Sequence, residues 1–336
     1  MSRRGWIAGA AAVGAVAAGV AARSAAKRAD ARWAAADDPC SPEDLLLPIG
    51  EHRTVVTDDG AELAVSVSGP AGGPVVVLAH CWTGGREVWA PVAHRLIRSG
   101  HRVVLYDQRG HGSSTVGSQG LTIERLGADL RSVLDAVDVR DAVLAGHSMG
   151  GMTVMSLAAH HPATVAQRAA GLVLVSTAAS GLSPGRPGGD AFAGRAVGSR
   201  AVERAMRGKL GHAFVRGAVG NAVRRNHLLM TRDLFLATEP SVRSGWLTAM
   251  LGMDLRAGIA TIGVPTTVLV GTEDRLTPPA RAADLVATIP GARLVTLDGF
   301  GHMLPLEAPD KVAAAIAQAS PAELSPAATV TSTDRA

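Results

Sequence analysis

Residues 142–150 read Ala-Val-Leu-Ala-Gly-His-Ser-Met-Gly, an apolar run that leads into a serine with a glycine two positions away on each side. The run predicts a buried strand, and the glycines permit a sharp turn into a helix, which would place Ser148 at the carboxyl end of the strand. The first N–H groups of that helix have no acceptor within it, so they can bind negative charge that develops on a carbonyl oxygen. A flexible glycine loop carries the same letters, so the motif needs support from the rest of the chain.

Three other segments follow the same scheme, in which a strand-like run ends in a chemically useful residue. Residues 75–85 open into a glycine-containing loop, residues 265–274 end in a carboxylate, and residues 294–302 end in a glycine-flanked histidine. β-Branched runs of this kind are typical of buried parallel strands. Together the four segments supply a nucleophile, an acid, a base and backbone donors for an oxyanion.

In this order the four segments resemble the α/β-hydrolase superfamily, whose catalytic residues follow one another as serine, acid and histidine. The resemblance covers roughly residues 54–320, and it includes Asp107–Ser114 after the fourth predicted strand and Gly301–Glu307 around the histidine. It implies an α/β fold with a mostly parallel central sheet flanked by helices, and a helical cap inserted after the sixth strand. It also implies that no metal ion and no organic cofactor is needed.

The roles of three side chains follow from the chemistry of acyl transfer. A serine hydroxyl is a poor nucleophile at neutral pH, so a base must take its proton from Ser148, and His302 matches the family's histidine. Asp274 is assigned as the carboxylate that orients the imidazole. Asp298 is its rival because it also follows a predicted strand, but its place four residues before His302 is more typical of a turn.

For the oxyanion hole, the resemblance implies the backbone N–H groups of Met149 and Trp82. The sequence departs from the family at Cys81, where glycine is usual, so either this residue has a negative φ or the loop is remodelled. We interpret Cys81 as a buried filler, with a reactive thiol as the alternative. His80 and His111 are interpreted as structural hydrogen-bonding residues rather than as catalysts.

The rest of this region agrees with an α/β fold. Apolar residues recur at helical spacing in residues 122–137, between strand-like runs, and such alternation is typical of a parallel sheet covered by helices. The 336 residues contain two cysteines, Cys40 and Cys81, with no metal-ligand partner spaced nearby. We therefore expect two free thiols, no zinc site and no disulfide framework.

Residues 178–256 lack a strand signal and are expected to form the cap. They carry 12 Arg or Lys against five acidic residues, a net charge of +7, whereas the whole chain is +4. This charge indicates a solvated helical surface or, alternatively, attraction to anionic lipid headgroups. Nucleic-acid binding is not expected, because one tyrosine and four phenylalanines provide few stacking platforms. We expect the substrate to contact residues of the cap and of the catalytic loops, namely Trp82, Met149, Phe214, Trp246 and Met303.

The two ends of the chain differ from its middle. After the basic residues 1–4, residues 5–22 form an uncharged run of 18 positions, mostly Ala, Gly and Val. As a helix this run would be about 27 Å long, close to the roughly 30 Å of a bilayer core. We expect a single membrane anchor, with an export signal or a soluble helix as alternatives. The remaining predicted segments are a linker, two parts of the hydrolase core and a disordered tail, at residues 23–50, 51–177, 257–319 and 320–336.

The sequence therefore predicts a serine hydrolase that cleaves a carboxylic ester of an apolar small molecule or lipid through an acyl-enzyme on Ser148. Thioesterase, lactonase or cofactor-free haloperoxidase or perhydrolase activity on the same side chains is the alternative within the enzyme class. A non-catalytic ligand-binding protein of the same fold is the alternative outside it. The intact set of Ser148, Asp274 and His302 argues against that last alternative.

Overall fold

The strands of the described residues form one eight-stranded sheet. A computed structural model of the chain describes residues 43–180, 182, 189–207, 211, 215–216, 219–220 and 224–319. The strands, in chain order, are β1 (Glu51–Val56), β2 (Glu62–Ser68), β3 (Val75–Ala79), β4 (Arg102–Tyr106), β5 (Ala142–His147), β6 (Ala169–Val175), β7 (Thr266–Gly271) and β8 (Arg293–Leu297).

The order of the strands across the sheet is β1-β2-β4-β3-β5-β6-β7-β8. β1 pairs with β2, and β2 with β4, in antiparallel fashion, whereas all other neighbours are parallel. Every residue of β5 and β7 is buried, because helices cover both faces of the sheet, and this explains their continuous apolar runs. The expected mostly parallel sheet is therefore confirmed.

The helices follow the strands in alternation. Residues 122–137, expected to be helical, contain a helix that Thr122 caps, since its Oγ1 accepts from the Arg125 N–H at 3.3 Å. Short 3₁₀ helices cover Glu43–Leu45 and Arg86–Trp89. The α-helices are α1 (Ala90–Arg98), α2 (Ile123–Ala136), α3 (Met149–His160), α4 (Pro162–Arg168), α5 (Gly189–Val197), α6 (Arg200–Arg207), α7 (Arg225–Ala237), α8 (Pro240–Leu251), α9 (Arg256–Ile259), α10 (Pro279–Thr288), α11 (Leu304–Glu307) and α12 (Pro309–Gln318).

Helices α5 to α9 lie between β6 and β7 in the chain, which confirms the expected helical insertion after the sixth strand. Two indole groups tie α8 to the core. Trp246 Nε1 donates to the carbonyl of Arg109 at 3.1 Å, and Trp82 Nε1 donates to the carbonyl of Arg243 at 3.2 Å. The cap is thus held against the loops that follow β3 and β4.

The Arg109 side chain is fully buried and paired with two buried carboxylates. Its guanidinium donates to Asp59 at 2.7 Å and to Asp129 at 2.6 Å. Because both partners are acceptor-only groups in a region away from water, the three side chains hold one another in a single arrangement.

None of the helices among the described residues is long and apolar enough to cross a membrane. The anchor expected at residues 5–22 and the tail expected at residues 320–336 lie outside the described residues.

Candidate active site

Ser148 occupies the sharp turn between β5 and α3. Its φ of 54° and ψ of −115° are values that a non-glycine residue rarely adopts. The flanking glycines are needed because other backbone passes very close: a Cβ on Gly146 would strike the Gly150 carbonyl, and one on Gly150 would strike the carbonyl of Ala79. The structure therefore explains both glycines of the motif by close approach.

The end of β6 and the residues just after it hold this turn in place. The Ser148 N–H donates to the Val175 carbonyl at 2.9 Å, and the Thr177 hydroxyl donates to the Ser148 carbonyl at 2.7 Å. Met149 is the first residue of α3, so its N–H has no acceptor within the helix. The Met149 side chain is fully buried in the core, so the site can use only its backbone.

Asp274 and His302 come together from the ends of β7 and β8. His302 Nδ1 lies 3.1 Å and 3.0 Å from the two carboxylate oxygens of Asp274. The carboxylate also accepts from the N–H groups of Leu276 and Thr277, both at 2.9 Å, and from the Thr277 hydroxyl at 2.9 Å. This network fixes the orientation of the imidazole and directs its Nε2 away from the acid.

The environment of Asp274 favours its charged form. Burial alone would raise the pKa of this carboxyl group, but the neighbouring His302 and the hydrogen bonds from Thr277 outweigh burial and hold the pKa below its usual value. Asp274 is therefore an ionised carboxylate at neutral pH, as the stabilisation of an imidazolium requires.

Asp298 lies in a different setting. It is exposed, and its Oδ1 accepts from the Thr272 hydroxyl at 3.2 Å. Of the two candidate acids, the structure brings Asp274 and not Asp298 into contact with His302.

Ser148 and His302 border one cavity of about 590 Å³. Among the described residues, no hydrogen bond joins the Ser148 hydroxyl to His302. The two side chains are related by the cavity that both of them border. The wall consists mostly of apolar side chains from the cap and the catalytic loops, including Trp82, Val88, Met152, Leu182, Met206, Val215, Leu234, Phe235, Leu247, Met250, Leu251, Leu276 and Met303.

The residues expected to contact the substrate differ in their relation to the cavity. Trp82 and Met303 border the cavity. The expectation for Trp246 needs correction, because this indole is fully buried against the core and donates to Arg109 instead of lining the cavity. Likewise, the side chain of Met149 is absent from the described cavity wall, and Phe214 lies outside the described residues.

The loop after β3 is shaped by two buried imidazoles. His80 donates from Nδ1 to the Cys81 carbonyl at 2.8 Å and accepts the Gln108 N–H at Nε2, also at 2.8 Å. His111 accepts the N–H of Thr83 at 3.1 Å. Cys81 needs no positive φ. The positive φ occurs instead at Thr83, where it is 54°. The hydrogen bond to His111 holds Thr83 in this conformation.

Burial sets the protonation of these groups. It lowers the pKa of His80 to about 4 and that of His111 to about 3, so both are neutral and able to accept hydrogen bonds at pH 7. Burial also raises the pKa of the Cys81 thiol to about 12. Cys81 is thus a protonated group in the cavity wall rather than a thiolate nucleophile.

Thr277 is a part of the site that the sequence analysis missed. Its hydroxyl lies 2.9 Å from Asp274 and 3.2 Å from His302 Nδ1, so it contacts both partners of the pair. Its position three residues after an aspartate is typical of a turn in which the carboxylate accepts nearby N–H groups. That spacing could have drawn attention to it.

Comparison with known proteins agrees with this geometry. A family model described as serine aminopeptidase, S33, matches residues 73–309. A solved hydrolase from Pseudomonas aeruginosa PA01 is 32% identical with a TM-score of 0.70, over 80% of this chain and 98% of that one. The enol-lactonase from Burkholderia xenovorans LB400 is 30% identical with a TM-score of 0.66, over 80% of this chain and 99% of that one.

A third relative is the non-heme chloroperoxidase of Burkholderia pyrrocinia, which is 27% identical over 256 residues, covering 74% of this chain and 92% of its own length. The family model spans the strand-end serine, the acid and the histidine in the expected order. The chain therefore belongs to the α/β-hydrolase superfamily, in the family described as serine aminopeptidase, S33.

Proposed function

We propose that the protein is a serine esterase that hydrolyses carboxylic esters of uncharged, apolar small molecules or lipids. The observation that carries the proposal is the chemistry of the cavity. Among the described residues of its wall, no side chain carries a carboxylate, an ammonium or a guanidinium group, and His302 shares the cavity with Ser148.

In the proposed reaction, His302 Nε2 takes the hydroxyl proton of Ser148 as its oxygen attacks the ester carbonyl. Asp274 stabilises the imidazolium, and the N–H groups of Met149 and Trp82 bind the oxyanion. The imidazolium then gives its proton to the leaving alcohol. Water, activated by the same imidazole, cleaves the acyl group from Ser148 and regenerates the enzyme.

The cavity also argues for one substrate class within the family. Its volume of about 590 Å³ suits a small molecule. An aminopeptidase must bind a substrate ammonium group, yet no acidic side chain belongs to the described wall. Burying a charged substrate group without a partner is costly, so neutral esters, including lactones, fit best.

The similarity to a chloroperoxidase supports a second candidate, perhydrolysis. In that reaction hydrogen peroxide would replace water in the attack on the acyl group of Ser148 and release a peracid. The same three side chains would serve both reactions, so the ratio of acid to peracid formed from one ester in the presence of peroxide decides between them.

The proposal is tested with p-nitrophenyl esters and a fluorophosphonate probe. Ser148→Ala should lose both turnover and labelling while it stays folded, because Ser148 contributes little to the core. Ser176→Ala is the matched control, since Ser176 also directly follows a strand and has a positive φ of 45°, but lies outside the described cavity wall. Turnover retained by Ser148→Ala would refute the assignment. Folded wild-type protein that never labels would indicate a ligand-binding protein.

A matched pair of substrates tests the charge argument. An ester whose acyl chain ends in a carboxylate should react about 100-fold more slowly than its neutral counterpart of the same length, which corresponds to about 2.7 kcal/mol. Equal rates would show that the cavity does not exclude charge.

We also propose that residues 5–22 hold the enzyme at a membrane, with export as the alternative. The support is the uncharged run of 18 residues and the basic residues on both sides of it. The positive charge of residues 178–256 would favour an anionic surface.

A further inference from the structure

Glu307, the last residue of α11, is a buried carboxylate outside the catalytic set described above. It is 3% exposed, yet three backbone N–H groups converge on it. One oxygen accepts from Gly301 at 2.8 Å and from Gly220 at 2.9 Å, and the other accepts from Met303 at 2.8 Å. Three backbone N–H groups thus donate to one buried carboxylate. Each of these N–H groups needs an acceptor, and the carboxylate serves all three.

The donors identify what Glu307 holds. Gly301 and Met303 are the residues on either side of His302, so the carboxylate clamps the backbone both before and after the imidazole. The carbonyl of His302 itself accepts from His147 Nε2 at 2.8 Å. The backbone that carries the base is thus held from two sides, by Glu307 and by the residue next to Ser148.

The third donor ties the same carboxylate to the cap insertion. Gly220 belongs to the segment between β6 and β7 and lies against the His302 loop so closely that a Cβ on Gly301 would strike the Gly220 nitrogen. No side chain could be added at that contact without moving one of the two backbones. The Glu307 carboxylate fills the position where both backbones need an acceptor.

An acceptor-only group is required at this point. A glutamine of the same shape would turn an NH₂ group towards at least one of the N–H donors, and that donor would lose its partner. Burial raises the pKa of Glu307, whereas the three N–H groups favour the ionised form, so the clamp depends on donors that the fold supplies.

We propose that Glu307 is a positioning residue that sets the place of His302 relative to Ser148 by holding the peptide groups on both sides of the imidazole. The inference rests on the proposed function, since it assumes that His302 activates Ser148. A displacement of about 1 Å between reacting groups costs about 100-fold in rate, and this is the loss we expect when the clamp is broken.

The test compares Glu307→Gln with wild type by the rate of Ser148 labelling with a fluorophosphonate and by kcat and KM for p-nitrophenyl acetate. Labelling and kcat should both fall about 100-fold while KM stays within about twofold, because Glu307 itself is not among the described residues of the cavity wall. Val312→Ala is the control for stability. Val312 is fully buried in α12, so its truncation destabilises the fold, but its side chain accepts no hydrogen bond. This variant should label at the wild-type rate below its Tm.

Wild-type labelling in Glu307→Gln would overturn the inference and leave the proposed function intact. Equal losses in Glu307→Gln and Val312→Ala would also overturn it, since stability alone would then explain the effect. Lack of labelling in folded wild-type protein would overturn both proposals. If Glu307→Gln does not fold, Glu307→Asp replaces it. This variant keeps the charge on a side chain that is one methylene shorter, so labelling at the wild-type rate would again refute the role.

Discussion

Three of the buried imidazoles, those of His80, His111 and His147, predict a steep loss of stability in mild acid. Burial lowers the pKa of His80 to about 4, and those of His111 and His147 to about 3, whereas an unfolded histidine titrates near 6.5. Between these values the unfolded chain binds protons that the folded chain refuses. The stabilisation is therefore fully present above about pH 6.5 and is lost as the pH falls towards the folded pKa values.

The size of the effect follows from the number of protons. Each proton taken up on unfolding changes the free energy of unfolding by about 1.4 kcal/mol per pH unit, so three imidazoles contribute about 4 kcal/mol per unit below pH 6.5. Burial raises the pKa of three carboxyl groups, those of Glu87, Asp129 and Glu307. Near pH 5 these groups bind protons more readily in the folded chain than in the unfolded chain, which opposes the loss of stability. A domain whose total stability is about 5–15 kcal/mol should still lose a large part of it by pH 5.5.

Urea unfolding followed by tryptophan fluorescence at pH 7.5, 6.5, 6.0 and 5.5 measures this slope. His111→Gln should remove about one proton, or about 1.4 kcal/mol per pH unit, from the slope. His52→Gln, at an exposed position of β1, is the control for the substitution itself. A free energy of unfolding that stays constant from pH 7.5 to 5.5 would refute the reasoning.

Three further predictions concern single positions. Asp274→Asn should lower kcat for p-nitrophenyl acetate about 10⁴-fold by disturbing the imidazole tautomer, and a loss below tenfold would contradict its role. Gly150→Ala should lower the free energy of unfolding by about 3 kcal/mol, because its Cβ would strike the Ala79 carbonyl. Gly263→Ala, with open space around it, should leave the free energy of unfolding unchanged, and urea unfolding of both variants checks this. Val16→Arg should move the full chain from the membrane to the soluble fraction, because a charge at the centre of a span costs about 2.5–3.5 kcal/mol, and Val16→Leu should stay bound; a membrane-bound Val16→Arg would speak against the anchor.

The strand-end residues of the site could be predicted because the chemistry is local in the sequence. The turn at Ser148 is marked by an apolar run and by two glycines, of which Gly146 lies against the Gly150 carbonyl and Gly150 against the Ala79 carbonyl. Asp274 follows the buried strand β7, and His302 follows β8, a mostly exposed strand at the border of the sheet. Because the two strands are parallel neighbours, their carboxyl ends meet at one edge of the sheet. Order along the chain was therefore enough to bring acid and base together.

The supporting contacts could not be predicted because they join distant positions. His147 and His302 are 155 residues apart, and their hydrogen bond depends on the registers of strands that no local pattern specifies. The expectation that Trp246 contacts the substrate was wrong for a related reason. An aromatic residue on a mostly apolar helix can face either the cavity or the core, and the indole N–H found its acceptor in the core, at Arg109.

The carbonyl that receives this indole belongs to a residue whose own side chain is immobilised by Asp59 and Asp129. Asp59 lies between β1 and β2, at the opposite border of the sheet from the strands that carry acid and base. Loss of that remote carboxylate would leave the arginine held by Asp129 alone, loosen the contact between α8 and the core, and reshape the cavity wall that α8 supplies. Changes at the far border of this sheet should therefore alter which molecules the enzyme accepts, even though every reacting atom stays where it was.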